Sequence, residues 1–254
     1  MSIQSHRIAF PSTSATRRGP VRGRRRLPPA SPAAVLRPRA AFLGHVDAAR
    51  FPCVGAKAAR ARDAIEVHEF PNLDCAGHDR RMWRALRRFG ETLDLDETPS
   101  TTVRSFAAVY SGPQTGCEHR FERLVWAQLE RLHRLDREAG IAWATDVSCD
   151  PADPRFSFSI GGHPFFVIGL HPGASRRARR APVPALVFNS HRQFEQLRKD
   201  GRYARMQAAT RRRDRELQGA INPNLADFGR ASEARQYSGR RVEADWTCPF
   251  RKEP

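Results

Sequence analysis

Two short apolar runs joined by an arginine-rich loop restrict this chain to folds with a buried β-sheet. The first run covers residues 165–170 and the second covers residues 185–188. Runs of about four to eight apolar residues between turn residues are typical of strands that are buried on both faces. Just upstream, apolar residues alternate with serine over residues 156–160, and Gly161-Gly162 follows, which predicts a two-residue hairpin. We therefore expect a sheet of at least three strands.

Helical periodicity flanks these strands in the sequence. Residues 79–90 and 117–138 each place apolar side chains on one face at steps of three or four, and residues 190–199 and 202–218 predict two further helices. Residues 101–110 are rich in β-branched and aromatic side chains, which favours another strand. The sequence thus predicts an α+β fold, in which a small central β-sheet with a hairpin is packed by several amphipathic helices in a single domain.

The positive charge of the chain is concentrated at its N-terminus. Residues 1–40 contain nine arginines and no acidic residue, and they are also rich in proline and serine. A segment of this composition lacks the apolar residues that a core needs, so we expect residues 1–40 to be a disordered Arg/Pro/Ser-rich tail and residues 41–254 to form the folded domain. Only three of the 44 basic residues are lysine, an imbalance that accompanies GC-rich coding. The net charge of +17 is therefore weak support for a nucleic-acid partner.

Cysteine spacing and hydropathy exclude several classes of protein. The five cysteines are far apart and never form a CxxC pair, which argues against a disulfide framework and a structural zinc site. No apolar run approaches the roughly 18 residues that suggest a membrane span. We expect a soluble, cytoplasmic protein with no membrane partner.

Several separated motifs resemble the YqcI/YcgG family from about residue 50 to the end of the chain. They are FPC at residues 51–53, GLHPGASRRARR at 169–180, INPNLADFG at 221–229, EARQYSG at 233–239 and CPF at 248–250. Characterised members of that family are haem-dependent N-oxygenases that hydroxylate guanidino nitrogens. The resemblance implies haem b, dioxygen, an arginine-like substrate and an external electron donor of the ferredoxin or flavodoxin type. Because the chain has no CxxCH motif, we expect the haem to be bound noncovalently.

Two residues are the leading candidates to ligate the iron. His133 shares the apolar face of the predicted helix with Trp126 and Leu129, and a neutral imidazole in that setting suits a haem iron. A core histidine without a metal is the alternative. Cys53 offers a thiolate, although a lone cysteine in an apolar setting is often an inert buried thiol. We expect His133 to be the ligand, with His171 and Cys53 as the next candidates.

The arginine loop and two carboxylates are candidates for the remaining contacts. Guanidinium groups on a loop held at both ends by strands can bind carboxylates, so Arg176, Arg177 and Arg180, with His171 beside them, are predicted to hold a haem propionate. A solvated basic loop is the alternative. Asp227 and Glu233 lie nearest the family motifs and are predicted to bind the substrate guanidinium by charge-assisted hydrogen bonds.

The resemblance therefore favours a haem-dependent enzyme that N-hydroxylates an arginine-like amino acid. A haem-binding sensor or carrier would use the same iron ligands without turnover. A nucleic-acid-binding protein is the weakest alternative, because the chain contains no recognisable nucleic-acid-binding module.

Overall fold

A five-stranded mixed sheet forms the centre of the protein. The computed structural model describes residues 37–95, 102–226 and 229–251. Its strands are β1 Ile65–Asn72, β2 Ser105–Gly112, β3 Phe158–Ile160, β4 His163–Leu170 and β5 Ala185–Ser190. They lie in the order β1-β2-β5-β4-β3, and only β1 and β2, among these strands, run parallel to each other. The parallel pair needs a crossover, which a helix between the two strands supplies.

Six α-helices surround the sheet in the described part of the chain. They are α1 Pro38–Asp47, α2 Val54–Ala61, α3 Asp79–Asp94, α4 Glu118–Glu138, α5 His191–Lys199 and α6 Arg202–Gln218. Short 3-10 turns occupy Ala76–His78, Arg177–Arg179 and Glu233–Gln236. The predicted α+β class and the single domain are confirmed, as are five helices, among them the short helix that the Ala and Arg content of residues 56–64 predicts, whereas β1 and α1 were not predicted. No helix among the described residues has the length and apolar character needed to cross a bilayer.

The predicted hairpin joins β3 to β4. Its two turn residues, Gly161 and Gly162, have φ angles of 63° and 73°. Two consecutive left-handed residues give the type of turn whose twist matches that of the flanking strands, and glycine adopts this conformation without a steric penalty. The turn also meets α4, because the Gly161 amide donates to the Asp136 carboxylate at 2.9 Å.

The two faces of the sheet bury different sets of side chains. One face packs against α3 and α4, and its core includes Phe106, Ala108, Tyr110, Phe165, Val167 and Phe188. The opposite face packs against α1 and α2, and it includes Ala107, Val109, Ile168, Leu170 and Val187. Neighbouring positions along β2 thus alternate between the two faces, as the pleat of a strand requires. α5 contacts β4 and β5, and α6 contacts α2 and α5, so these helices complete the second layer.

The first helix begins before the expected start of the domain. α1 begins at Pro38. Proline is favoured in the first turn of a helix, because a backbone N–H at that position would have no hydrogen-bond partner within the helix. Phe42 and Val46 of α1 are buried in the core of the second face. The last three residues of the segment expected to be a tail therefore lie in α1. Residues 1–36 lie outside the described part of the chain, and their disorder stays a prediction.

The outer edge of β4 is covered by a C-terminal segment. β3 pairs only with the first residues of β4, so the later part of that edge receives other partners. The Gly169 amide donates to the Tyr237 carbonyl at 2.7 Å, and Arg179 donates to the Gly169 carbonyl at 3.0 Å. A Cβ on Gly169 would lie 2.8 Å from the Tyr237 carbonyl oxygen, so a larger residue would push this segment away. The close approach holds residues 233–237 against the sheet.

Candidate functional site

A cavity of about 320 Å³ lies on the sheet face that carries α1 and α2. Phe166 and Ile168 on β4 and Val187 on β5 are only half-buried, because they face this cavity instead of close-packed side chains. α2, α5 and α6 supply much of the remaining wall, through residues such as Gly55, Phe194, Tyr203, Met206 and Thr210. Cavities of roughly 300 to 1,000 Å³ with a mainly apolar lining are typical of small-molecule sites.

The polar residues of the cavity come from segments that are far apart in the sequence. Cys53 precedes α2, Arg176 and Arg179 belong to the arginine loop, Asp214 lies on α6, and Glu233 lies in the C-terminal segment. Three of the residues predicted from the sequence, Cys53, Arg176 and Glu233, therefore line one cavity. The fold brings together a sulfur atom, guanidinium groups and carboxyl groups.

Cys53 occupies the N-cap position of α2. Its Sγ accepts a hydrogen bond from the Ala56 amide at 3.4 Å. Burial raises the pKa of the Cys53 thiol, while the amides of α2 and the charge of Arg179 act in the opposite direction. The thiol therefore lies in an apolar wall, yet the groups that would stabilise a thiolate are already in place.

The arginine loop is folded by its own guanidinium groups. Arg176 is buried, forms an ion pair with Asp214 and donates to the Ala220 carbonyl at 2.8 Å. Arg179 donates to the Gly169 and Gln236 carbonyls at 3.0 and 3.3 Å, and burial lowers its pKa to about 10. These contacts tie the loop to α6, to β4 and to the C-terminal segment.

Arg177 and Arg180 are exposed and lie outside the cavity lining. Arg177 donates to the Leu217 carbonyl at 3.1 Å, near the C-terminal end of α6. Arg180 donates to the Ala174 carbonyl at 2.8 Å within its own loop. The structure thus separates the predicted arginine set into one buried member that faces the cavity and two surface members.

Glu233 is the buried carboxyl group of the cavity. The Tyr237 hydroxyl lies 2.9 Å from Glu233 Oε1, and Glu233 is only 8% exposed. Burial raises the pKa of Glu233 to about 8, while the hydroxyl groups of Ser157 and Tyr237 and the charge of Arg198 oppose this shift. A carboxyl group with this pKa is largely uncharged at neutral pH.

The two predicted histidine ligands lie away from the cavity. His133 is buried on α4 with its ring 5.3 Å from Trp143 and 5.5 Å from Phe250, in the core of the other sheet face. His171 stacks on Phe121 at 4.2 Å, and its Nδ1 lies 3.3 Å from the Thr115 carbonyl oxygen. Burial lowers the pKa of His171, so its imidazole is neutral. Neither histidine is among the described residues of the cavity lining.

Asp227 lies outside the described residues. Its neighbours Leu225 and Ala226 line the cavity. Within residues 37–95, 102–226 and 229–251, no group of three or more His, Cys, Asp and Glu side chains is arranged to hold a metal ion. A haem iron needs only one or two protein ligands, so single residues such as Cys53 remain the relevant candidates.

A sequence profile of the YqcI/YcgG family matches residues 41–251. The chain belongs to the YqcI/YcgG family. Two relatives from Bacillus subtilis strain 168 are both named as uncharacterized proteins. YcgG is 26% identical over 216 residues, which cover 80% of this chain and 82% of YcgG. YqcI is 28% identical over 138 residues, which cover 52% of this chain and 53% of YqcI. No solved structure matches the chain.

Four of the five motifs of this YqcI/YcgG protein converge on the cavity, whereas Cys248 and Phe250 of the fifth lie in the core of the other sheet face. Residues 51–53, 169–180, 221–229 and 233–239 each contribute at least one lining residue. Sequence reasoning placed Arg179 in the arginine loop and Tyr237 in the C-terminal region without giving either residue a role of its own, and it did not select Asp214. The motif EARQYSG contains Tyr237 and was a signal for it, whereas the pairing of Asp214 with Arg176 depends on the packing of α6 and has no local signature.

Proposed function

We propose that this YqcI/YcgG-family protein is a haem-dependent enzyme that N-hydroxylates the guanidino group of an arginine-like amino acid. The observation that supports the proposal is the shared cavity of Cys53, Arg176, Arg179 and Glu233. These residues come from family motifs separated by up to 180 positions, and they offer the three chemistries that such a reaction requires. Those chemistries are a ligand for iron, cations for carboxylates, and a carboxyl group for a guanidinium.

The residues around Cys53 fit a thiolate-ligated haem. The cavity is mainly apolar, and Cys53 enters it from the N-terminal end of α2. When bound, haem would supply oxygen activation, which a thiolate ligand promotes by donating electron density toward the oxygen. Burial has the largest effect on the Cys53 thiol and raises its pKa, whereas the amides of α2 and the Arg179 guanidinium oppose that shift and would stabilise a thiolate bound to iron. These contacts make Cys53 a stronger candidate ligand than His133, which the sequence had favoured.

In this proposal two arginines of the loop hold a carboxylate. Arg176 and Arg179 line the cavity, and their positions are set by Asp214 and by backbone carbonyls. A pre-ordered guanidinium loses little conformational freedom when it binds a carboxylate, whether a haem propionate or the carboxylate of an amino acid. Arg177 and Arg180 lie on the surface and have no part in this proposal.

In this proposal Glu233 binds the reacting end of the substrate. A carboxylate and a guanidinium form paired hydrogen bonds whose geometry fixes the orientation of the guanidino nitrogens. The mainly apolar lining of the cavity lowers the local dielectric constant, which would strengthen this contact. Electrons for the reaction would come from an external donor of the ferredoxin or flavodoxin class.

The test begins with an absorption spectrum of full-length protein purified after expression with added haem precursor. We expect bound haem whose ferrous carbonyl complex absorbs at the long wavelength characteristic of a thiolate ligand. Cys53→Ser should lose this band or the haem itself. His133→Ala is the matched control, since it alters a buried candidate ligand on the other sheet face and should retain the band.

Turnover is then measured with L-arginine, dioxygen and a reductant, with N-hydroxyarginine as the product to be detected. Product formation that depends on Cys53 would support an enzyme, whereas haem binding without product would favour the sensor or carrier. Wild-type protein that takes up no haem would contradict both. A thiolate-type band that persists in Cys53→Ser would contradict the ligand assignment.

A further inference from the structure

The hydroxyl group of Tyr237 contacts two acceptor oxygens, but it has only one proton to donate. Tyr237 Oη lies 3.1 Å from the Phe158 amide nitrogen, 3.2 Å from the Phe165 carbonyl oxygen and 2.9 Å from Glu233 Oε1. The Phe158 amide is a donor, and the Phe165 carbonyl can only accept. The two oxygen contacts therefore require two protons, and the phenol carries only one.

A protonated Glu233 supplies the second proton. In that state Glu233 donates to Tyr237 Oη, which accepts from Phe158 and donates to the Phe165 carbonyl, so all three contacts are hydrogen bonds. In an ionised state, Glu233 would have to compete with Phe165 for the single Tyr237 proton. The same conclusion follows from the burial of Glu233, which raises its pKa to about 8.

We infer that Glu233 is an uncharged acid in the absence of substrate and releases its proton to solvent when a guanidinium group binds. Tyr237 then turns its hydroxyl proton from the Phe165 carbonyl to the new carboxylate. The guanidinium keeps its own proton, because its pKa is far above neutrality, so one proton leaves the protein for each guanidinium that binds. The inference rests on the proposed function, because it takes a guanidinium compound as the ligand.

Several charged and polar groups face Glu233. The hydroxyl of Ser157, the phenol of Tyr237 and the guanidinium of Arg198 on α5 act directly on its carboxyl group. The other titratable or charged groups of the described cavity lining are Cys53 beside α2, Arg176 and Arg179 in the loop, His191 on α5, and Tyr203, Arg211 and Asp214 on α6. Asp214 is paired with Arg176, so the surroundings of Glu233 are mainly cationic. An ionised Glu233 provides a local negative charge that a guanidinium can pair with.

Affinity for a guanidinium compound should therefore rise with pH. Glu233 must ionise on binding, so at a pH below about 8 each unit of pH should tighten the binding of L-arginine by as much as about tenfold. At a pH above about 8 the carboxylate is already formed, and the dependence should disappear. An ordinary exposed glutamate would give no dependence above about pH 5.

Calorimetry of L-arginine binding measures the released proton. Titrations of full-length protein at pH 7 in two buffers with different ionisation enthalpies should show about one proton released for each arginine bound. Glu233→Gln should bind arginine more weakly and release no proton. Glu216→Gln, on the exposed side of α6, is the matched control and should behave as wild type.

Infrared difference spectroscopy observes the acid itself. At pH 7 we expect the carbonyl band of a protonated carboxylic acid, which Glu233→Gln removes and saturating L-arginine abolishes. Tyr237→Phe keeps the aromatic ring and should shift the position of this band, because the acid loses its hydrogen-bond acceptor. This variant serves if Glu233→Gln does not fold.

Three results would overturn the inference. They are a wild-type protein without the acid band, arginine binding without proton release, and no binding of L-arginine. A band that stays in place in Tyr237→Phe would overturn the role given to Tyr237. If proton release is observed but no N-hydroxyarginine forms, the proposed function fails while the proton exchange stands.

Discussion

Breaking the ion pair between Arg176 and Asp214 should cost far more stability than breaking an exposed pair on the same helix. Arg176 and Asp214 are 8% and 6% exposed, so removing either partner leaves an uncompensated charge in a buried site. The cost of such a change is about 3 to 5 kcal/mol, which lowers the melting temperature of a domain of this size by about 6 to 20 °C.

The control pair lies on the opposite face of α6, with one partner two residues before Asp214 and the other two residues after it. Arg212 and Glu216 approach to 4.0 Å, with side chains 73% and 68% exposed. Solvent screens such a pair, so Glu216→Ala should change the free energy of unfolding by less than about 0.5 kcal/mol. Thermal unfolding followed by circular dichroism compares this variant with Asp214→Ala under identical conditions.

A double variant separates the charge from the packing. Arg176→Met combined with Asp214→Leu removes both charges at similar volume and should recover most of the stability that Asp214→Ala loses. An Asp214→Ala variant that melts within 2 °C of Glu216→Ala, a margin of about 0.5 to 1 kcal/mol, would refute the reasoning. In that case the pair does not hold the arginine loop against α6.

Three further predictions concern stability. Gly173→Ala should destabilise the protein by about 1 to 3 kcal/mol in chemical denaturation, because the added Cβ would lie 2.5 Å from Gly116 Cα and 2.7 Å from the Thr115 carbonyl oxygen; wild-type stability would show that the loops separate easily. Stability should also fall as the pH drops below about 6.5, since burial lowers the pKa of five histidines and the unfolded chain then binds protons that the folded chain does not; a flat profile of melting temperature between pH 7 and about 5 would contradict this. Deletion of residues 1–36 should leave the melting temperature unchanged, whereas deletion through residue 47 removes the buried Phe42 and Val46 and should lower it sharply; equal melting temperatures of the two truncated proteins would contradict the role of α1.

The elements that the sequence predicted are those whose signal is local. The face of α4 that carries Trp126, Leu129 and His133 is buried as its periodicity requires. β4 and β5 appear as uninterrupted apolar runs because both of their faces are covered. β1 was not predicted, since its acidic residues and Pro71 are typical of an edge strand or a loop, and its position in the sheet depends on pairing with β2.

The candidate site was only partly predictable, because burial does not reveal which side of a sheet a residue occupies. His133 was correctly expected to be buried, yet its helix packs on the face opposite the cavity. Cys53 and Glu233 were selected through family motifs and do line the cavity. The division of the arginine loop into buried and exposed members depends on Asp214 and on backbone carbonyls, and these partners lie 38 residues or more away for Arg176.

The contacts at the margins of the sheet also bear on how the protein behaves at high concentration. An uncovered edge strand presents free backbone groups to which a strand of another molecule can add, and this is a common route to aggregation. On β1, the outward carbonyls of Val67 and Glu69 already accept hydrogen bonds from Arg39 and Arg81 at 3.0 and 2.7 Å. At the other margin β3 is short, and the outer edge of β4 is covered in part by Arg179, which donates a hydrogen bond to the Gly169 carbonyl. Guanidinium groups thus occupy backbone acceptors at both margins, so part of the arginine excess of this chain covers groups to which a strand of another molecule could otherwise add.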